Sequence, residues 1–154
     1  IMISMILMVI GGSPAGTAGG MKTTTIAMIL LTTMSFAKGR SETEVFNRKI
    51  ASDNVRLGLV VVTLGSIVLF TAITLLCVTE NTPFLNVTYE AVSALATVGL
   101  SRNLTPFLSP FGKLIIIVLM YLGRIGPITL VVALSNKASS KIGIDFPEKK
   151  IIVG

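Results

Sequence analysis

Asn86-Val87-Thr88-Tyr89-Glu90-Ala91-Val92-Ser93-Ala94-Leu95-Ala96-Thr97-Val98-Gly99 is the stretch on which the fold turns. Residues 86–96 have the composition of about three helical turns, and Thr97-Val98-Gly99 then breaks them. A bilayer crossing needs about 20 apolar residues, so this helix is too short to span. Long apolar runs nevertheless stand on both sides, Leu57–Val78 before it and residues 111–134 after it. A short helix followed by irregular backbone at membrane depth is tolerated only where protein or a water-filled cavity surrounds it. The order span, re-entrant helix, loop, span is therefore that of a pore-forming unit.

Composition agrees with a membrane chain. Of 154 residues, 52% are apolar and 13% charged, against about 25% charged in soluble domains; the mean hydropathy is +0.87. The net charge of +6 does not point to nucleic acid, because the basic residues form no stripe with interleaved aromatics. They sit at the ends of apolar runs instead. The single cysteine, Cys77, makes no intrachain disulfide, and with no histidine in the chain there is no Cys/His zinc set and no imidazole base. No enzyme is expected, and no bound cofactor.

Working outward, Leu57–Val78 is 22 residues without a charge, about 33 Å of helix, and is the clearest span. The run 111–134 is as long but contains Gly123, Arg124, Gly126 and Pro127. Residues 21–39 are apolar and laced with Thr23, Thr24, Thr25, Thr32, Thr33 and Ser35. Residues 1–10 are apolar, lack the basic n-region and cleavage site of a signal peptide, and are too few to span; they read as the end of an element begun upstream. Gly11-Gly12-Ser13-Pro14 stops them. Lys38, Arg40, Arg48, Lys49 and Arg56 crowd the 40–56 segment and its edge, while Lys137, Lys141, Lys149 and Lys150 lie in the 135–154 tail. Both are expected on the cytoplasmic side, which puts the re-entrant helix on the outer side.

Thr17-Ala18-Gly19 and Thr97-Val98-Gly99 lie 80 residues apart, and each glycine is followed three residues later by a basic residue, Lys22 and Arg102. Each tripeptide follows a short apolar segment and precedes a longer one, which suggests an internal repeat. The residue types suit a cation path. Backbone carbonyls can replace the water that a potassium ion sheds, and glycine adopts the backbone angles that turn carbonyls inward. Threonine adds a hydroxyl oxygen, and the short helix aims the negative end of its dipole at the ion. Thr-Val-Gly begins the potassium-channel filter sequence, but Leu100 stands where a channel has tyrosine, so weaker selectivity is expected.

Gly11-Gly12-Ser13-Pro14-Ala15-Gly16-Thr17-Ala18-Gly19-Gly20-Met21-Lys22 resembles the third filter segment of the Trk/Ktr/HKT potassium and sodium transporters. Ala96-Thr97-Val98-Gly99-Leu100-Ser101 resembles the fourth, and Gly123-Arg124-Ile125-Gly126-Pro127 the final helix of that family. The resemblance covers essentially the whole chain and is strongest to the Ktr-type membrane subunit. It implies an all-α integral membrane fold in which repeated units surround one pore with pseudo-fourfold symmetry. Residues 1–10 would end the third pore helix, 11–20 form the third filter loop and 21–39 the inner span of that repeat. Residues 57–78 would be the outer span of repeat four, 86–96 its pore helix, 97–101 its filter loop and 111–134 its inner span. Filter residues would be Thr17, Ala18, Gly19, Thr97, Val98 and Gly99, with potassium, or sodium as the alternative ion, on the carbonyls of Thr17, Ala18, Thr97 and Val98. It further implies a multi-pass plasma-membrane protein, a homodimer embedded in lipid, and a cytosolic ring of partner subunits that carry the nucleotide.

Other residues have competing readings. Arg124, expected 13 residues into its span, is costly in a bilayer and should face protein or water; it is either a structural arginine on backbone carbonyls or, as the resemblance suggests, a pore-side charge below the filter. Glu90 either attracts cations to the outer vestibule, or hydrogen-bonds there, or pairs with a basic residue. Thr32, Thr33 and Ser35 either glue helices together or belong to a broken segment within 29–39 that gates the pore from the cytoplasmic side. Gly16–Thr23 superficially suggests a phosphate loop, but Met21 breaks the required spacing. A broken-helix secondary transporter with a midplane ion site is the alternative function; the absence of a carboxylate from Leu57–Val78 and 111–134 weighs against it.

Overall fold

A computed structural model describes residues 1–13, 19, 21–39, 44–45 and 48–126. The masses of structure are helical: α1 (Met2–Ile10), α2 (Thr23–Ala37), α3 (Ser52–Thr79), α4 (Phe84–Leu95) and α5 (Pro110–Ile125), with one 3₁₀ turn at Thr105–Phe107. The departure from an all-helical chain is a two-residue antiparallel pair, β1 (Glu44–Val45) with β2 (Arg48–Lys49), inside the 40–56 segment. Two backbone pairings of this length add little stability by themselves.

α3 is 28 residues long with a mean hydropathy of 2.6 in its most apolar window, about 42 Å of helix and more than enough for a bilayer. Only 17% of that window is buried within the chain, the reverse of a soluble protein's core helix. Its outer face carries Leu59, Ile67, Phe70 and Val78, all exposed. In a bilayer such a face costs nothing, because its surroundings are as apolar as it is. α2 and α5, at 15 and 16 residues, reach about 23–24 Å and fall short of the hydrocarbon thickness. The part of the 111–134 run beyond Gly126 lies outside the described residues, as does the 135–154 tail.

The core gathers around the shortest of the inner helices. α4 has 12 residues, seven of them buried, on more than one face. Val87, Ala91 and Ala94 pack against Ala72 and Leu76 of α3 and Ile115, Ile116 and Leu119 of α5. Tyr89 and Val92 turn the other way, toward Met8 of α1. Small residues at Ala91 and Ala94 let the neighbouring backbones come close. Leu104 and Leu108, from the chain between α4 and α5, plug the same cluster from outside. α2 packs on α3, where Gly58 faces Met28 and Thr25.

Candidate functional site

The end of α4 is closed by two backbone hydrogen bonds. Thr97 N–H donates to the Ala94 carbonyl at 3.1 Å, and Val98 N–H to the Ser93 carbonyl at 3.0 Å. Together these are a Schellman closure, which requires a left-handed residue after the helix, usually glycine. Here that residue is Thr97, with φ 54°. A left-handed L-residue costs about 1–2 kcal/mol, and a β-branched one is unusual there. Two residues on, Gly99 is left-handed again at φ 80°. A Cβ on Gly99 would meet nothing within 4 Å, so handedness alone, and not space, calls for glycine at that position.

Thr97 is held from across the chain. Its Oγ1 accepts a 2.8 Å hydrogen bond from the backbone N–H of Gly19, 78 residues earlier. Gly19 is buried, and a Cβ there would lie 2.5 Å from Thr97 Oγ1, 2.6 Å from Thr97 Cγ2 and 2.7 Å from the Gly123 carbonyl oxygen. Only glycine fits. Gly123 in turn lets α5 press on the end of α4: a Cβ on it would fall 2.9 Å from the Leu95 carbonyl carbon and closer still to its oxygen. Gly19, Thr97, Gly123 and Leu95 thus form one junction where three separate parts of the chain meet.

Helix C-termini gather at this junction. α4 ends at Leu95 and α5 at Ile125, with Gly123 against Leu95. α1 ends at Ile10, and the recess beside Ala96–Val98 is walled by its Leu7 and Met8 and by Gly11 just beyond it. A helix C-terminus carries a partial negative charge of up to roughly half a unit. Arg124 occupies the last turn of α5, where a cation offsets that helix's negative end. Its location is a helix terminus and not the middle of a continuous described span. Among the described residues no group of three His, Cys, Asp or Glu side chains forms a metal cluster. An ion at this junction would be held by backbone and hydroxyl oxygens.

Two carboxylates frame the chain that leaves the junction. Glu90, 4% exposed, accepts from Ser101 Oγ, from Thr105 Oγ1 and from the Thr105 N–H at 3.0 Å. Glu80, 8% exposed, accepts from the Ser109 N–H at 3.2–3.3 Å and from Ser109 Oγ. Ser109 is the N-cap of α5 and accepts from Gly112 N–H at 3.0 Å, with Pro110 in the first turn. Gly112 leaves room for the Glu80 carboxylate, which a Cβ would strike.

Of the residues singled out in the sequence, the structure brings Gly19 and Thr97 into contact, continues through Val98 to Gly99, and puts Glu90 on the wall of a recess shared with Thr97 and Gly99. Thr17 and Ala18 lie outside the described residues. Thr32 and Thr33 donate to the Met28 and Ile29 carbonyls at 2.8 and 2.9 Å, and Ser35 is buried. The described helix is unbroken across all three and ends at Lys38–Gly39, where Gly39 has φ 71°. Sequence reasoning gave no role to Glu80, Ser109 or Gly112, and placed Gly123 only within the motif that resembles the family's final helix. The signal for the first two was present: Ser109-Pro110 is a helix-start pair, and Glu80 is the first charge after a long apolar run.

Comparison with known proteins bears on the same residues. The family model described as "TrkH: Cation transport protein" matches residues 1–142. The chain is 38% identical over 154 residues to the Ktr system potassium uptake protein B of Bacillus subtilis (strain 168), covering all of this chain and 34% of that one. It is 41% identical over 161 residues to the potassium/sodium uptake protein NtpJ of Enterococcus hirae, covering all of this chain and 35% of that one. A Ktr system potassium uptake protein B from Vibrio alginolyticus is 36% identical over 154 residues, with 33% of its length covered. The chain spans about a third of the length of the curated relatives it matches.

Proposed function

The chain belongs to the TrkH family of cation transport proteins, and on that premise we propose that it is part of a potassium-conducting membrane subunit. Two relatives carry potassium uptake in their names and a third potassium/sodium uptake; we extend potassium, with sodium as the alternative ion, to this chain. It supplies the end of one pore repeat and the whole of the next. The ion passes over the carbonyls of Thr17 and Ala18 on one side and Thr97 and Val98 on the other, with Gly19 and Gly99 setting the backbone path.

The observation that carries this reading is the hydrogen bond from Gly19 N–H to Thr97 Oγ1. Gly19 and Thr97, from two stretches with the same Thr-x-Gly pattern 80 residues apart, meet at the converging ends of α4 and α5. Left-handed Thr97 and Gly99 flank Val98, which is not left-handed. Alternating hand in this way turns successive peptide groups so that neighbouring carbonyls can face one axis. Leu100, half exposed, stands where a strict potassium channel has tyrosine, so discrimination against sodium should be modest.

Other parts of the proposal rest on the family resemblance. The pore is completed by further repeats with pseudo-fourfold symmetry, Arg124 faces the conduction path below the filter, and a gate lies near residues 29–39 on the cytoplasmic side. The subunit forms a homodimer in the cell membrane with its C-terminus in the cytoplasm. The word "system" in the names of the Ktr relatives fits a partner subunit, which we take to be a cytosolic nucleotide-binding ring. A secondary transporter would need a carboxylate available to a coupling ion, yet Glu80 and Glu90 are each engaged by several donors.

Gly99→Ser in the full-length protein tests the reading. Serine at φ 80° is strained by about 1–2 kcal/mol, and space is open around it. The protein should assemble but lose potassium preference in a growth and flux assay. An unchanged sodium-to-potassium flux ratio would remove Gly99 from the filter.

A further inference from the structure

The segment Val98–Gly99 has an unsolved mechanical problem. Its incoming end is fixed by the Schellman closure at Thr97. Around Gly99, however, there is open space, and Val98 and Leu100 are exposed within this chain. Within this chain, side-chain packing alone does not fix this stretch. A row of carbonyls aimed at one axis repels itself unless an ion sits among them, so the backbone needs restraint at both ends if the spacing is to discriminate between ions.

Glu90 supplies a restraint at the outgoing end. It sits on α4 about two turns before Thr97, and its buried Oε1 gathers Ser101 Oγ, Thr105 Oγ1 and Thr105 N–H. All three donors belong to the chain just after Gly99. Ser101 Oγ in turn accepts from Asn103 N–H at 3.0 Å, closing the bend in which Asn103 is left-handed at φ 61°. Charge-assisted bonds to a buried carboxylate are the strongest hydrogen bonds available to a loop. A buried carboxylate deprived of them bears its full desolvation cost, so the three act together. Glu80 and Ser109 fix the far end of the same connection at the start of α5 and Leu104 anchors its middle in the core, which leaves the Glu90 hydrogen bonds as the restraint nearest the filter among the described residues.

We propose that Glu90 is a positioning residue for ion selection: its carboxylate, acting through Ser101 and Thr105, holds the outgoing end of Thr97–Gly99 against α4 and so sets the spacing of the carbonyls. Glu90 does not touch the ion. The proposal rests on the filter reading above.

The test uses the full-length protein in phospholipid vesicles, with radioactive rubidium uptake and its competition by sodium and potassium as the readout. Glu90→Ala should lower the preference for potassium over sodium by about fivefold or more, and Thr105→Val and Ser101→Ala by about twofold each, as the loss of several or of one charge-assisted bond requires. The Glu90→Ala/Thr105→Val double variant should do no worse than the larger single change, because both remove the same clamp. Glu90→Gln, which keeps an acceptor oxygen of the same reach, should restore most of the preference. Should Glu90→Ala fail to reach the membrane, Ser101→Ala and Thr105→Val carry the test, since both leave the carboxylate in place. Wild-type preference in variants that still conduct would overturn the proposal, as would full additivity in the double variant. Flux lost altogether in Ser101→Ala and Thr105→Val at normal protein levels counts against it too, since a loosened loop alters discrimination before it closes the path. Gly99→Ser in the same assay separates the two claims. A shift in Gly99→Ser alone sinks only the clamp, whereas no shift there sinks the filter assignment beneath it.

Discussion

Replacing Gly123 by alanine should be among the most damaging single-methyl changes this chain can suffer. The added Cβ would sit 2.9 Å from the Leu95 carbonyl carbon and 3.2 Å from its Cα, and closer still to the carbonyl oxygen. Carbon atoms in contact prefer about 3.5–4.0 Å, and the carbonyl oxygen is the more severely overlapped atom, so α5 and the end of α4 must part by more than about 1 Å. No side-chain rotation relieves this, because every obstructing atom is backbone. Overpacking of this kind costs about 1–3 kcal/mol, and a backbone clash belongs at the upper end. The displacement also pulls on Gly19, whose own Cβ position lies 2.7 Å from the Gly123 carbonyl oxygen, and so on Thr97. Gly65→Ala is the matched control: a Cβ on Gly65 in α3 meets nothing within 4 Å, and alanine is favoured over glycine in a helix by about 0.5–1 kcal/mol. Thermal unfolding of the full-length protein in detergent, followed by circular dichroism or light scattering, should give a lower midpoint for Gly123→Ala and an equal or higher one for Gly65→Ala. Rubidium uptake should fall only in the first. Equal midpoints for the two variants would refute the close approach of α5 to Leu95.

Three further expectations use the same preparations. Thr97→Val removes the acceptor for Gly19 N–H and should cost about 1–3 kcal/mol for a buried donor left unpaired, while Thr97→Ser keeps the oxygen and should stay near wild type in the unfolding assay. Ser109→Ala removes the α5 cap and a Glu80 partner, and should lower stability by about 1–2 kcal/mol. Leu76→Ala, at a side chain 1% exposed between α3, α4 and α5, should cost about 2–5 kcal/mol; Val78→Ala, 81% exposed two residues on and on the opposite face of α3, should cost far less, and similar losses would mean that α3 is oriented otherwise.

Much of the architecture is legible in local sequence. Leu57–Val78 announces a span because hydropathy and length are properties of a contiguous segment, and α3 contains it with room at both ends. The short helix before Thr97 is legible for the same reason, and α4 at Phe84–Leu95 begins two residues before the expected 86. The placement of Arg124 was less legible. An apolar run continuing to Leu134 suggests a residue deep in a span, but Gly126, left-handed at φ 81°, caps the described helix one residue after Ile125. A glycine in an apolar run does not announce whether it stays helical or turns left-handed; that depends on what the turn can pack against.

The carboxylates illustrate the remaining gap. Nothing in the residues around Glu90 separates attraction of cations from hydrogen bonding within the outer loop, because the choice depends on where Ser101 and Thr105 are carried by the chain. Glu80 reads as a charge leaving the membrane, yet it is buried because Gly112 opens a space for it beside the N-cap of α5.

The sequence by itself determined that the chain is apolar enough for a membrane, that the short helix before Thr97 ends there, and which family its Thr-x-Gly stretches resemble, since hydropathy, glycine and proline act over a few neighbouring residues. Only the tertiary structure decided that Gly19 meets Thr97, that Gly123 presses on Leu95, and that Glu90 and Glu80 face inward onto the loop between α4 and α5. Those contacts join residues from 11 to 78 positions apart. Their energy is won only when several helices are already packed, because a hydrogen bond or a missing Cβ has value only against the particular atom that the fold brings to it.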